Sequence, residues 1–296
     1  MWAGPSKHFK TAFSLLMARA YMDKYEDAAL LFYDSEFGTP QSYFETFGID
    51  MDRVLHTPIT DIEQLKFDIM QQMQNVERGD RLIIVIDSIG NLASKKEVED
   101  ALEQKSAADM TRAKQLKSLF RMVTPHLTLK DIPMVVVNHT YKEIGMFPKD
   151  IVGGGTGSYY SADNIFILGR QQEKDGTELT GYNFIINVEK SRYVKEKSKI
   201  PVSVSFDGGI SKFSGLLDLA LESGHVIKPK VGWYQKAGEE KNYREKDTDN
   251  KDFWMPILME KSFYDFVKSK YSIAVTDMVK SDDLDAALNA LEFEDE

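Results

Sequence analysis

Apolar residues along this chain follow two periods. Ala28–Tyr33, Leu82–Ser88 and Pro133–Asn138 are continuous apolar runs, the pattern of strands covered on both faces. Between them, Ile62, Leu65, Ile69, Met73 and Val76 recur at helical spacing, which predicts a helix over Asp61–Val76 with Asp61 as its N-cap. Lys10–Lys24, Ala107–Leu127 and the short Pro40–Phe47 also read as helices, and Val54–His56 as a short strand. Asp163–Gly169, Tyr182–Val188 and Ile200–Phe206 predict further strands, the last two forming a hairpin around Glu189–Arg192. Ser214–Ser223 is a helix stopped by Gly224, and Ile257–Lys270 another helix. Two stretches lack either period. Ala93–Lys105 is polar and reads as a mobile loop with a helical portion. Thr140–Ser158 holds five glycines and reads as a flexible loop.

Alternation of strand and helix from Lys10 to Phe206 defines an α/β class, a mostly parallel sheet flanked by helices. Past residue 224 the texture changes: Trp233, Tyr234, Phe253 and Trp254 are scattered among charges. This predicts a core over 1–224, a small C-terminal subdomain over 225–275 and a tail over 276–296. No internal repeat is present.

Composition narrows the partners. The 296 residues carry a formal charge of −10 and no cysteine, which excludes disulfides and thiolate metal sites and fits a reducing cytoplasm. No apolar run approaches the ~20 residues of a membrane span, so no membrane partner is expected. Seven carboxylates between Ser281 and Glu296 supply most of the net charge. A local basic surface elsewhere therefore remains compatible with the balance.

The candidate chemistry begins at Gly4-Pro5-Ser6-Lys7-His8-Phe9-Lys10-Thr11, which matches a phosphate-binding loop except that Phe9 stands at the second glycine. Gly4 permits a tight turn. The N–H groups that follow can face phosphate oxygens at a helix N-terminus. Lys10 would reach the β/γ-phosphates, and the Thr11 hydroxyl would ligate Mg²⁺. A Gly-Pro turn before a surface helix is the competing reading. Such a loop normally follows a buried strand, yet only Met1, Trp2 and Ala3 precede Gly4, so the expectation is that this strand is missing. Asp87, after five aliphatic residues, resembles the acid that holds Mg²⁺ through water. Ligands on parallel sheets bind beyond the strands' C-terminal ends, and Thr11, Glu36, Asp87 and His139 all fall at that rim.

The ordered set of phosphate loop, Tyr33-Asp34-Ser35-Glu36, Val85-Ile86-Asp87-Ser88, Val137-Asn138-His139 and Gly153-Gly154-Gly155-Thr156-Gly157 resembles the RecA-type recombinases, and in wording most their T-even-type phage branch. The resemblance implies a RecA-like P-loop ATPase core lacking its first strand and an N-terminal segment. It implies ATP and Mg²⁺ as cofactors. Glu36 would activate the attacking water, Tyr43 would stack on adenine, and His139 would sense the γ-phosphate. Lys190 and Arg192 would act in trans on a neighbouring subunit's ATP. Two loops, Ala93–Ala107 and Thr140–Ser158, would line a DNA path, with Arg112, Lys142, Lys149, Gly153, Gly154 and Gly155 on phosphates and Ile144 or Met146 between bases. The acidic tail would compete with DNA for that surface.

The implied function is an ATP-dependent recombinase that forms a homo-oligomeric helical filament on single-stranded DNA and pairs it with homologous duplex. Mediator and single-strand-binding proteins are the further partners implied, in the cytoplasm of an infected host cell. A hexameric ring ATPase or helicase on the same core, or a non-hydrolysing DNA-binding fragment, are the competing functions.

Overall fold

The structure is a computed structural model and describes residues 1–103, 111–146 and 148–273. The acidic tail and the 104–107 end of the first candidate loop lie outside the described residues. Two compact units are present: Met1–Ser191 with Lys199–Ile210, and Arg192–Ser198 with the chain from Ser211 onward.

In the first unit the strands are β1 (Trp2–Ala3), β2 (Ala29–Asp34), β3 (Val54–Pro58), β4 (Leu82–Asp87), β5 (Met134–Asn138), β6 (Thr140–Lys142), β7 (Asp150–Val152), β8 (Ile165–Asp175), β9 (Glu178–Lys190), β10 (Lys199–Ser205) and β11 (Gly209–Ile210). The helices are α1 (Lys10–Lys24), α2 (Gln41–Thr46), α3 (Ile62–Asn75), α4 (Lys95–Leu102), α5 (Thr111–Lys130) and α6 (Thr156–Ser161). Nine strands form one sheet in the order β11-β10-β9-β8-β1-β5-β4-β2-β3. Pairing from β8 through β1, β5, β4 and β2 to β3 is parallel, while β9, β10 and β11 are antiparallel.

The continuous apolar strands explain the layers. Successive side chains point to opposite faces. Leu30, Phe32, Ile83 and Val85 pack with Phe13, Leu15, Ala18 and Met22 of α1 on one side. Leu31, Tyr33, Ile84 and Ile86 pack with α3 and α5 on the other, against Ile62, Leu65, Ile69, Met73, Leu116 and Leu119. Each fully buried aliphatic side chain contributes about 1.5–3 kcal/mol. Asp61 caps α3 as its position predicted, accepting from Gln64 N at 2.7 Å.

Five expectations are corrected. The strand before the phosphate loop is not missing: Trp2 and Ala3 pair with Val137 and Asn138 on one side and Phe166 and Ile167 on the other. Thr140–Ser158 is not all loop, because its ends pair as the β6–β7 hairpin and Thr156 opens α6. The glycines gather between β7 and α6, where Gly154 and Gly155 take φ +83° and +74°; the flanking residues remain free to pair. Third, the Asp163–Gly169 strand runs on to Asp175 and turns at Gly176, since the polar residues Gln171–Lys174 pair with β9 at the exposed end of the sheet.

The last two concern the second unit, with α7 (Leu216–Glu222), β12 (Val226–Lys230), β13 (Trp233–Lys236), β14 (Asn242–Tyr243), α8 (Lys251–Leu258) and α9 (Lys261–Tyr271). The division falls at Ile210/Ser211 rather than near 225, because Leu216, Leu217 and Ala220 of α7 belong to the core of Tyr234, Phe253, Trp254 and Ile257. The single helix expected over Ile257–Lys270 is two helices, broken at Met259–Glu260. The three strands of this unit are two to five residues long, too short to show a period.

Candidate nucleotide site

The phosphate loop leaves β1 at a point of close approach. A Cβ on Gly4 would stand 3.3 Å from the Leu168 carbonyl oxygen, so only glycine fits without displacement. Lys7 and Phe9 both take left-handed backbone, at φ +60° and +58°. Phe9 is the N-cap of α1 and supplies no side-chain acceptor, so the helix's first N–H groups are left for a ligand. Lys10 is only 7 % exposed, and its ammonium donates to the Pro5 carbonyl at 2.9 Å. Burial lowers its pKa, with Glu36 and Asp87 resisting. The three groups are thus near enough to feel one another's charge.

Three strand ends supply the rest. Asp34 and Asp87 are register partners on β2 and β4. Thr11 donates its hydroxyl to Asp87 Oδ2. Asp87 Oδ1 is buried without a hydrogen-bond partner, and burial pushes the Asp87 carboxyl up to about 6. Glu36 follows β2. Its Oε1 accepts from Ser88 Oγ at 2.8 Å and lies 3.0 Å from His139 Nε2. The His139 bond is the main cause that holds the Glu36 carboxyl below its ordinary range, with burial opposing. Tyr43 on α2 is half-buried against Phe47, with ring centroids 5.3 Å apart.

Several residues that the sequence left unmarked organise this rim. Ser35 Oγ donates to Ser88 O at 2.6 Å and accepts from Ser88 N at 2.9 Å, tying the β2 and β4 ends together. Buried Asp34 accepts from Glu36 N and Phe37 N, and its other oxygen meets His56 Nε2 at 3.1 Å. Gly90 lies under the His139 ring, whose Cδ2 is 2.3 Å from where a Cβ would be. The signal available for Ser35 and Ser88 was their place beside the two acids.

His139 also connects to the second candidate loop. Its carbonyl accepts from Gly153 N at 2.9 Å, and Asn138 Nδ2 donates to Gly153 O at 2.8 Å. Beyond β6, Ile144 and Met146 are almost fully exposed, at 101 % and 89 %. Lys149 is exposed, while Lys142 pairs with Asp150 at 2.9 Å. Arg112, a candidate for DNA phosphates, is bonded within the first unit. Its guanidinium donates to the carbonyls of Leu92, Ile89 and Gly90 at 2.8, 2.9 and 2.8 Å, so it holds the turn after β4. Lys190, a candidate for a neighbouring subunit's ATP, is also bonded within the first unit. It donates to Tyr159 O and Tyr160 O at 3.0 and 3.2 Å at the end of α6, rather than extending from a hairpin tip. Arg192 falls in the other compact unit.

A mostly parallel sheet with a phosphate loop after its central strand and acids at the ends of β4 and β2 defines the class of P-loop nucleotide-binding proteins. Residues 2–211 match the RecA N-terminal domain family, and residues 213–267 match the C-terminal domain of the bacteriophage T4 recombination and repair protein. The chain belongs to the RecA family. It is 52 % identical over 285 residues to the "Recombination and repair protein" of Enterobacteria phage T4, spanning 93 % of this chain and 73 % of that one. "Protein RecA" of Syntrophus aciditrophicus is 26 % identical, over 80 % of this chain and 67 % of its own. "Protein RecA" of a Synechococcus is 27 % identical, over 85 % and 65 %.

Membership implies an ATPase that binds nucleotide with a divalent metal. The residues present fit such an ion: an orphaned buried Asp87 oxygen and the Thr11 hydroxyl are hard oxygen donors. Among the described residues no group of three or more His, Cys, Asp or Glu forms a metal cage. Nucleotide oxygens and water would complete the shell. No described helix is long and apolar enough to cross a membrane.

Proposed function

We propose that this chain is an ATP-dependent homologous-recombination protein that coats single-stranded DNA as a helical filament and pairs it with duplex. The observation that carries this reading is one connected path. Glu36 Oε1 meets His139 Nε2, and the His139 carbonyl holds Gly153 beside the β6–β7 hairpin that presents Ile144 and Met146. A γ-phosphate that shifts His139 would shift the hairpin with it, biasing two arrangements of the DNA-facing segment.

Within that reading, Lys10 and the loop N–H groups of Ser6 to Thr11 hold the β- and γ-phosphates. Mg²⁺, held by Thr11 and through water by Asp87, would neutralise charge on them. Glu36 orients and polarises the attacking water. Tyr43 covers the adenine. Lys142, Lys149 and the amides of Gly153–Gly155 take DNA phosphates, with Ile144 and Met146 between bases. Lys190 and Arg192 serve a neighbouring subunit's ATP, Lys190 after leaving the α6 carbonyls. The acidic tail competes with DNA. A ring helicase is not favoured.

DNA-stimulated hydrolysis tests the proposal. Turnover should rise severalfold on adding single strands; equal turnover with and without them would sink it. Filaments, not closed rings, are expected in electron micrographs with ATP and DNA.

A further inference from the structure

The phosphate loop has a side chain where its motif calls for glycine. Lys7 and Phe9 both stand in left-handed backbone, which L-residues rarely adopt unless neighbours over-determine it. Both are met from a single hairpin. Arg170 on β8 donates from Nη1 to the Lys7 carbonyl at 2.8 Å. Its guanidinium lies 4.7 Å from the Tyr182 ring centroid on β9, a cation–π contact that restrains the arm. Two residues along β9, on the same face, the fully buried Phe184 ring sits 4.8 Å from the Phe9 ring. Tyr182 and Phe184 are themselves 6.1 Å apart. A third contact, the Leu168 carbonyl against Gly4, also comes from β8.

We infer that Arg170, Tyr182 and Phe184 are positioning residues for the phosphate loop. They hold Lys7 and Phe9 in the left-handed conformation, so the loop's N–H groups converge before a nucleotide arrives. The inference rests on reading residues 4–11 as the nucleotide loop. A preformed loop raises affinity by removing an ordering cost. Glu36, which would carry the chemistry, is fixed separately by Ser88 and His139. The brace therefore acts on binding and leaves turnover alone.

Arg170 is exposed at the surface, so its variants should fold. The test titrates Arg170→Ala, Arg170→Lys and the unaltered chain with MgADP and MgATP by calorimetry, then measures kcat at saturation. Arg170→Ala should weaken both nucleotides about 3- to 10-fold, the scale of one hydrogen bond, with kcat within about twofold. Arg170→Lys should recover most of the affinity. In a Lys7→Gly background the Arg170→Ala effect should shrink, because glycine takes that backbone unaided. Unchanged affinity in Arg170→Ala, or a loss confined to kcat, overturns the brace. Absence of nucleotide binding by the unaltered chain instead overturns the reading of the loop itself.

Discussion

In the large sheet, β2, β4 and β5 run parallel and end at Asp34, Asp87 and Asn138, whereas β9 to β11 run antiparallel and place no acid at the nucleotide rim. The parallel strands deliver polar groups to one edge because their C-terminal ends all face the same way. The β8–β9 hairpin, where the sheet turns from parallel to antiparallel, serves by flank contacts instead, through Leu168 and Arg170 on β8 and Tyr182 and Phe184 on β9. One sheet thus divides its labour: direction gathers reactive groups, and side-on packing sets the shape of the loop they act across.

Removing one group from each part tests that division. Glu36→Gln should lower ATP turnover by about 10²-fold or more while nucleotide affinity stays within a fewfold, measured by single-turnover hydrolysis and titration. Unchanged turnover would remove Glu36 from the chemistry. Asp87→Asn should also abolish Mg²⁺-dependent hydrolysis, yet stabilise the nucleotide-free protein in EDTA. The folded carboxyl titrates near 6 against an ordinary value of 3.8. Its ionisation therefore costs folding on the order of 2–3 kcal/mol above pH 6, and nothing below about 3.8, where it is protonated in both states. A melting-temperature gain of a few °C at pH 8 that fades as pH falls through 6 is the expected profile. A gain that persists at pH 4 contradicts the assignment.

Ser88→Ala should cut kcat about tenfold with little change in affinity, since its hydroxyl fixes and acidifies Glu36. The acid limb of the pH–rate profile should move up, because losing a donor to the carboxylate raises its pKa. Smallest of all, Arg170→Ala should alter affinity alone. If Ser88→Ala instead lowered affinity and Arg170→Ala lowered kcat, the two parts of the sheet would not be separable as described.

The parallel part is legible in the sequence because a continuous apolar run ending in an acid fits little besides a buried strand that stops at a polar rim. Accordingly β2, β4, β5 and α3 fall where the pattern places them. Glu36, Asp87 and His139 stand out as candidates for the same reason. Short elements carry no period, so neither the two residues of β1 nor the strands β12 to β14 leave a readable pattern. The contacts of Arg112 and Lys190 are illegible for a different reason: a cation's residue type does not say whether a phosphate or its own backbone carbonyls will receive it. Arg170 lies 163 positions from the carbonyl it holds, a separation that local patterns cannot bridge.

Gly90 fits beneath the His139 imidazole only because it has no side chain. A methyl group there acts as a wedge. It would tilt the ring off the Glu36 carboxylate without altering a single polar atom of the pocket. On the proposed coupling, such a protein should keep its grip on nucleotide but run its engine slowly, and with the clutch slipping, because Glu36 loses the partner that chiefly acidifies it and the β6–β7 hairpin loses its link to the pocket.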